Sequence, residues 1–168
     1  SQYLTTKWVL DLRDDDIYWC TADPGWVTGT SYGIIGPWSL GVTQCVLDVG
    51  FTAESWYQFI EKHRITVWYS APTAIRALMR AGDDWVTRRD LSSLRILGSS
   101  GEPWNPGPWR WYQDLVGGGR CPLINYSGGT EIAGGIVSSI PIAPQKPTSF
   151  NGVIPGMDFT ALRNEAQQ

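Results

Sequence analysis

Pro122-Leu123-Ile124 is an apolar run that passes straight into Asn125-Tyr126-Ser127-Gly128-Gly129-Thr130-Glu131. The apolar residues read as a buried strand, and the Gly-rich stretch after them reads as a loop at its carboxyl end. Adjacent glycines leave backbone N–H groups open to an anion, because no Cβ stands in the way. Thr130 can donate to a phosphate oxygen, and Glu131 can ligate a divalent cation. A Gly-rich loop is also common punctuation between strands. The surrounding chain decides between the two readings.

Upstream, strand and helix signals alternate. Val42 to Leu47 is a short strand candidate. Thr52 is placed to cap a helix that carries Trp56, Phe59 and Ile60 on one face. Ile65 to Tyr69 is β-branched and aromatic and predicts a strand. Pro72 opens a second helix, with Ile75, Leu78 and Met79 toward the core and Gly82 at its end. Asp83 to Arg89 reads as a solvated, charged connection. Leu94 to Leu97 predicts a strand, Gly98 to Asn105 a turn-rich loop, and Pro108 to Val116 a third helix ended by Gly117-Gly118-Gly119. Ile136-Val137 is one more strand candidate. After Pro141 the chain is rich in Pro and Gly, then short and polar to Gln168.

This order predicts an α/β fold, a largely parallel sheet with flanking helices and right-handed crossovers. Ligands of such sheets bind outside the carboxyl ends of the strands. Those ends are Ser70-Ala71, Gly98 to Glu102 and Tyr126 to Glu131, so three loops rich in Gly, Ser and Thr are expected on one edge.

Composition excludes several function classes. The chain has 168 residues, one domain's worth, and a net charge of −3. It has no basic run, which argues against nucleic acid or an anionic membrane as partner. Pro24 to Leu47 is uncharged, but Pro24, Pro37 and five glycines argue against a spanning helix. The start shows no secretory or transit signature. Three distant cysteines, Cys20, Cys45 and Cys121, form neither a disulfide framework nor a zinc pattern, and suit a reducing, cytoplasmic location. The ten tryptophans are scattered through apolar patterns and read mostly as core, with Trp26 an exception.

The chemistry left open is narrow. The single histidine, His63, lies at a helix end, where it reads as a solvated cation and not a base, so a Ser–His–Asp hydrolase is disfavoured. None of Lys7, Lys62 and Lys146 follows a glycine, so there is no P-loop. Asp14-Asp15-Asp16 lacks the spaced ligands of a calcium loop and reads as a solvated turn.

Three blocks together are more specific than any one. They are Asp16-Ile17-Tyr18-Trp19-Cys20-Thr21-Ala22-Asp23-Pro24-Gly25-Trp26-Val27-Thr28-Gly29, then Ser70-Ala71-Pro72-Thr73-Ala74-Ile75-Arg76-Ala77-Leu78-Met79, then Leu91-Ser92-Ser93-Leu94-Arg95 with Gly101-Glu102-Pro103. In this order, with Thr130-Glu131 after them, they resemble the AMP-forming acyl-CoA synthetases of the adenylate-forming superfamily, near the acetyl-CoA synthetase branch. The likeness runs over roughly residues 3 to 158.

The resemblance implies an acid–thiol ligase. Such enzymes use ATP and Mg2+ to turn a carboxylic acid into an acyl-adenylate, then pass the acyl group to coenzyme A. It implies that Gly101, Glu102 and Pro103 line the adenine end of the nucleotide site. Asn125, Tyr126, Ser127, Gly128, Gly129 and Thr130 would wrap the AMP portion. Thr130 would meet the α-phosphate and Glu131 would hold the magnesium. Trp26, Val27 and Thr28 would lie by the acyl group and the coenzyme A thiol, and Ser100 and Gly128 would line the acyl pocket. No protein nucleophile is needed, because positioning and charge stabilisation carry the chemistry.

The departures are informative. Acetate enzymes place two tryptophans where this chain has Ser127-Gly128, which predicts a wider pocket and an acid larger than acetate. The family's phosphate loop would lie before Ser1, and its ribose-binding aspartate, hinge and catalytic lysine beyond Gln168. Residues 1–168 are thus expected to form one central portion of the N-terminal AMP-binding domain, inactive alone. The other readings are a non-catalytic nucleotide-binding module of the same fold and a plain structural α/β domain.

Overall fold

The computed structural model describes residues 1–162. Seven strands form one sheet: β1 (Ile17–Cys20), β2 (Thr43–Cys45), β3 (Val67–Ser70), β4 (Ile96–Ser100), β5 (Leu123–Gly129), β6 (Gly134–Ser138) and β7 (Gly152–Val153). Their order is β2-β1-β3-β4-β5-β6-β7. Strands β2, β1, β3, β4 and β5 run parallel, and β6 and β7 join antiparallel. The expected largely parallel α/β sheet is therefore present, with an antiparallel extension beyond β5.

Alternation along the strands supplies a core on each face. In β3, Val67 and Tyr69 point one way and Trp68 the other, and all are buried. On the Trp68 face pack α4 (Ala53–His63), α5 (Pro72–Ala81) and α7 (Pro106–Trp111), the last continued by a π-helical stretch, Tyr112–Val116. On the Tyr69 face pack α1 (Gln2–Leu4) with its π-helical continuation Thr5–Val9, and a run made of α2 (Val27–Thr30), π-helical Ser31–Ile35 and α3 (Gly36–Leu40). Tryptophans knit the first face. Trp19 and Trp68 stack with ring centroids 5.8 Å apart, and Tyr112 meets Trp68 edge-on at 5.3 Å.

Local sequence explains the helices that place the site. Thr52 Oγ1 accepts from the Ser55 N–H at 3.0 Å and caps α4. Ala53, Trp56, Tyr57 and Ile60 are its buried stripe at helical spacing. Pro72 sits in the first turn of α5, and Gly82, at φ +111°, ends it. No helix among the described residues is long and apolar enough to cross a membrane.

Several expectations need correction. Strand β4 runs on to Ser100 and β5 to Gly129, where loops were expected, because parallel β4–β5 pairing and antiparallel β6 continue the ladders through Ser and Gly. Asp83 to Arg89 contains a short helix, α6 (Asp84–Thr87), which buries Val86. Met79 is 38% exposed, since Ile75 and Leu78 already fill the inner face of α5. Asp16 is not solvated. It is 3% exposed and accepts from Thr66 Oγ1 at 2.6 Å, from Arg95 Nε at 2.7 Å and from the Arg13 N–H at 2.8 Å. Trp8 and Trp38 join Trp26 at the surface. Residues 163–168 of the expected polar end lie outside the described residues.

Candidate nucleotide and acyl site

The carboxyl ends of β1, β3, β4 and β5 open into two adjoining cavities. The first, of about 630 Å³, gathers Trp26, Val27, Thr28, Ser70, Ser100 and Thr130 with Tyr32, Tyr126 and Gly128. The second, of about 360 Å³, gathers Pro103, Asn125 and Ser127 with Trp104, Thr148 and Phe150. Gly101, Glu102, Tyr126 and Gly128 border both. The three loops expected on one edge are thus together.

The sequence-assigned groups divide between the cavities. All five residues assigned to the acyl group and thiol, Trp26, Val27, Thr28, Ser100 and Gly128, line the first. Of the nucleotide set, Pro103, Asn125 and Ser127 line the second and Gly129 and Thr130 the first. The shared wall lets one ligand occupy both. Glu131 lines neither cavity. It follows Thr130 in a 3-10 turn, Thr130–Ile132, and its carboxylate folds back beside Gly129.

The first cavity takes its shape from tight turns. The Asp23 carboxylate accepts from the Gly25 N–H at 2.7 Å, and Asp23 O accepts from the Trp26 N–H at 3.0 Å. The chain then enters α2 with Trp26 in an extended conformation that gives no side-chain cap. The leading N–H groups of α2 therefore keep free donors beside the cavity, at the positive end of a helical run. Trp26 is 72% exposed at the rim.

A hydroxyl-rich wall lies opposite. Tyr69 donates to Ser100 Oγ, and Thr21 Oγ1 donates to Ser70 Oγ at 2.8 Å. Burial pushes the Tyr69 and Tyr126 phenols well above their usual range, so both keep their protons. Burial also pushes the Cys20 thiol up to about 11, which removes it as a nucleophile near neutral pH.

The second cavity is held by a clamp. Arg76 Nη2 donates to Glu102 Oε2 at 2.8 Å, and Thr73 Oγ1 donates to the same oxygen at 2.5 Å. Gly101 makes the turn at φ +93°, a conformation that strains any residue with a Cβ. Deeper in, Asn125 is 5% exposed and its Oδ1 has no hydrogen-bond partner. A buried acceptor left unpaired is uncommon and points to a missing donor.

Gly128 behaves differently from expectation. A Cβ built there would lie 2.7 Å from the Gly134 carbonyl carbon and 2.5 Å from Gly135 Cα. The volume of the absent side chain is filled by the backbone of β6, so Gly128 does not widen the cavity.

Tyr32, Thr148 and Phe150 also face the site, and sequence reasoning missed them. Tyr32 belongs to a stretch whose lack of charge was its only legible feature. Thr148 and Phe150 belong to a tail legible only as Pro/Gly-rich. An aromatic among prolines and glycines was the available signal.

A mostly parallel sheet with two joined cavities at its carboxyl edge has them where ligands of such sheets bind. The chain belongs to the AMP-binding enzyme family, whose profile matches residues 1–165. It is 49% identical over 165 residues to the acetyl-coenzyme A synthetase of Rubrobacter xylanophilus, a match spanning 96% of this chain and 26% of that protein. It is 45% identical over 168 residues to the acetyl-coenzyme A synthetase of Bacillus subtilis, spanning 100% of this chain and 29% of that protein. The crystal structure of an acyl-CoA synthetase from Brucella canis superposes with a TM-score of 0.84 at 36% identity, over 92% of this chain and 28% of that one. The chain therefore spans between a quarter and a third of the length of these relatives.

Proposed function

We propose that the protein containing this chain activates a short- to medium-chain carboxylic acid with ATP to an acyl-adenylate, then transfers the acyl group to coenzyme A. The observation that carries this reading is the unpartnered Asn125 Oδ1 in the second cavity. An adenine exocyclic amine is the donor it lacks. The base then lies between the Gly101–Pro103 turn and Phe150, with the ribose and α-phosphate over Gly128 and Gly129 toward Thr130.

The residues of the first cavity act on the acid. The acid lies between the leading N–H groups of α2 and Ser100. One of its carboxylate oxygens attacks the α-phosphorus, a P–O bond forms, and pyrophosphate leaves. Thr130 donates to the α-phosphate as charge moves there. The coenzyme A sulfur then attacks the acyl carbon near Trp26 and Thr28, and AMP leaves with the C–O bond electrons.

Among the described residues, no group of three or more His, Cys, Asp or Glu could hold a metal alone. Magnesium commonly takes only one or two carboxylates, with substrate phosphates and water completing its shell. Glu131 fits that demand. It is exposed, beside Thr130, and makes no hydrogen bond or ion pair among the described residues. When bound, the ion would supply charge neutralisation at the phosphates. A cytoplasmic location accords with the three free thiols.

One observation favours the alternative, a nucleotide-binding module without turnover. No Lys or Arg lines either cavity among the described residues. Pyrophosphate release by the full-length protein distinguishes the two, since the module gives none. The base assignment is tested on the chain itself by titration with AMP and with IMP. AMP should bind about tenfold tighter, the worth of one hydrogen bond to a buried acceptor. Asn125→Leu should erase the difference. Equal binding of AMP and IMP by the unaltered chain contradicts the assignment.

A further inference from the structure

The second cavity has one wall that neither the segment after β4 nor β5 supplies. Thr148 and Phe150 supply it, from the 139–151 connection between β6 and β7. Three aromatic side chains line this cavity, and two are already engaged. Trp104 is 7% exposed, stacks on Tyr112 with ring centroids 6.0 Å apart and donates its Nε1–H to Ser99 Oγ at 3.1 Å. Tyr126 is 4% exposed and packs on Tyr32 and Tyr69. Phe150 is 42% exposed and belongs to neither core. Its ring is the aromatic surface that the cavity offers to a ligand.

The connection holds that ring in place. Asn151 Oδ1 accepts from the Ile140 N–H at 2.6 Å, and its Nδ2 faces the carbonyls of Ile140, Ala143 and Pro144 at 3.2, 3.3 and 3.2 Å. The Asn151 N–H donates to Ser138 O at 3.1 Å, and Ser139 Oγ donates to Ser149 O at 3.2 Å. Phe150 thus sits between two residues that are both tied to the end of β6. Thr148 carries φ +65°, a conformation rare for a β-branched residue. Such strain persists only where the surroundings impose it, and it gathers at ligand clamps. A plain surface connection needs neither the exposed ring nor the strain.

We propose that Phe150 is the stacking platform for the nucleotide base, and that Asn151 is the positioning residue that holds it there. The proposal rests on the nucleotide reading of the second cavity and divides the work within it. Stacking accepts the face of any base, whereas Asn125 Oδ1 reads one exocyclic group. A ring fixed in advance loses little freedom when the base arrives.

The test titrates AMP, IMP and ribose 5-phosphate calorimetrically into the full 168-residue chain. Phe150→Ala should weaken AMP and IMP alike, by about tenfold, and leave their ratio unchanged. The loss should be confined to ligands that carry a base, so ribose 5-phosphate should not share it. Phe150→Trp keeps a stacking face and should retain AMP binding. Asn151→Leu should weaken AMP as Phe150→Ala does, and should add nothing in a chain that already carries Phe150→Ala. Unchanged AMP affinity in Phe150→Ala, or an equal loss for ribose 5-phosphate, overturns the stacking role and leaves the nucleotide reading standing. A further loss from Asn151→Leu in the Phe150→Ala chain overturns the positioning role. If the unaltered chain binds neither AMP nor IMP, the nucleotide reading falls and takes this inference with it.

Discussion

Gly128 and Gly134 approach so closely that a Cβ on Gly128 would stand 2.7 Å from the Gly134 carbonyl carbon and nearer still to its oxygen. The partner is β6 backbone, which cannot rotate away as a side chain would. The pairing register also shifts between Ser127 and Gly128, so the approach belongs to a local irregularity of the ladder.

Gly128→Ala should therefore destabilise the chain by about 2 kcal/mol, as overpacking does. Chemical denaturation followed by tryptophan fluorescence measures this. An unchanged midpoint would show that β6 moves aside freely.

Arg76 and Glu102 tie α5 to the turn that separates the two cavities. The pair is partly exposed, with side chains 27% and 35% accessible, so it adds little to stability. Its expected effect is on position, because Arg76 Nη1 also reaches Pro103 O at 3.5 Å. Arg76→Ala should weaken AMP binding by about tenfold with a nearly unchanged melting temperature. Unaltered AMP affinity would mean that Gly101–Pro103 holds its shape unaided.

Asp16 anchors the opposite end of the sheet, joining the start of β1 to Arg95 just before β4. Burial alone would raise its carboxyl pKa, but hydrogen bonds from Arg95, Thr66 and the Arg13 N–H outweigh it and hold the pKa below the usual range. The folded value lies below the unfolded one, so its stabilisation is complete above the ordinary carboxylate range. It fades as pH falls through the depressed folded value. Asp16→Ala should cost about 2 kcal/mol near neutral pH, because Arg95 loses its hydrogen bonds to a buried carboxylate and keeps Asp11 as its charged partner. It should also flatten the acid limb of a stability-versus-pH curve. A parallel curve, merely shifted down, would assign the acid sensitivity elsewhere.

Glu131 carries no structural bond among the described residues, so Glu131→Gln should leave folding intact. In the full-length protein it should slow adenylation about a hundredfold or more, the usual loss when one charge-stabilising group is removed. A normal rate at saturating magnesium would return Glu131 to the role of a surface residue.

The fold was legible where periodicity and caps were strong. Thr52, Trp56 and Ile60 announced α4, and Pro72 and Gly82 bracketed α5. The carboxyl ends of β4 and β5 were not legible, because Ser99-Ser100 and Ser127-Gly128-Gly129 lack strand propensity and are ordered by their neighbours across the ladder. The same non-locality hid the meaning of Gly128. Sequence shows that a side chain is absent, and only the fold shows that Gly134 has taken its place. Asp16 misled for a related reason: a run of three aspartates reads as solvated until Arg95, 79 residues on, is seen to cover one of them. The residues read from the family blocks, Glu131 excepted, line the two adjoining cavities, since those blocks fall at the ends of adjacent parallel strands.

The central claim is that the two cavities hold one adenylate, with its base against Asn125. A crystal structure of the chain soaked with AMP tests it most directly. The account predicts the adenine between the Gly101–Pro103 turn and Phe150, its exocyclic amine hydrogen-bonded to Asn125 Oδ1, and the phosphate beside Thr130. AMP bound with its base in the first cavity, or with Asn125 Oδ1 still unpaired, would contradict it.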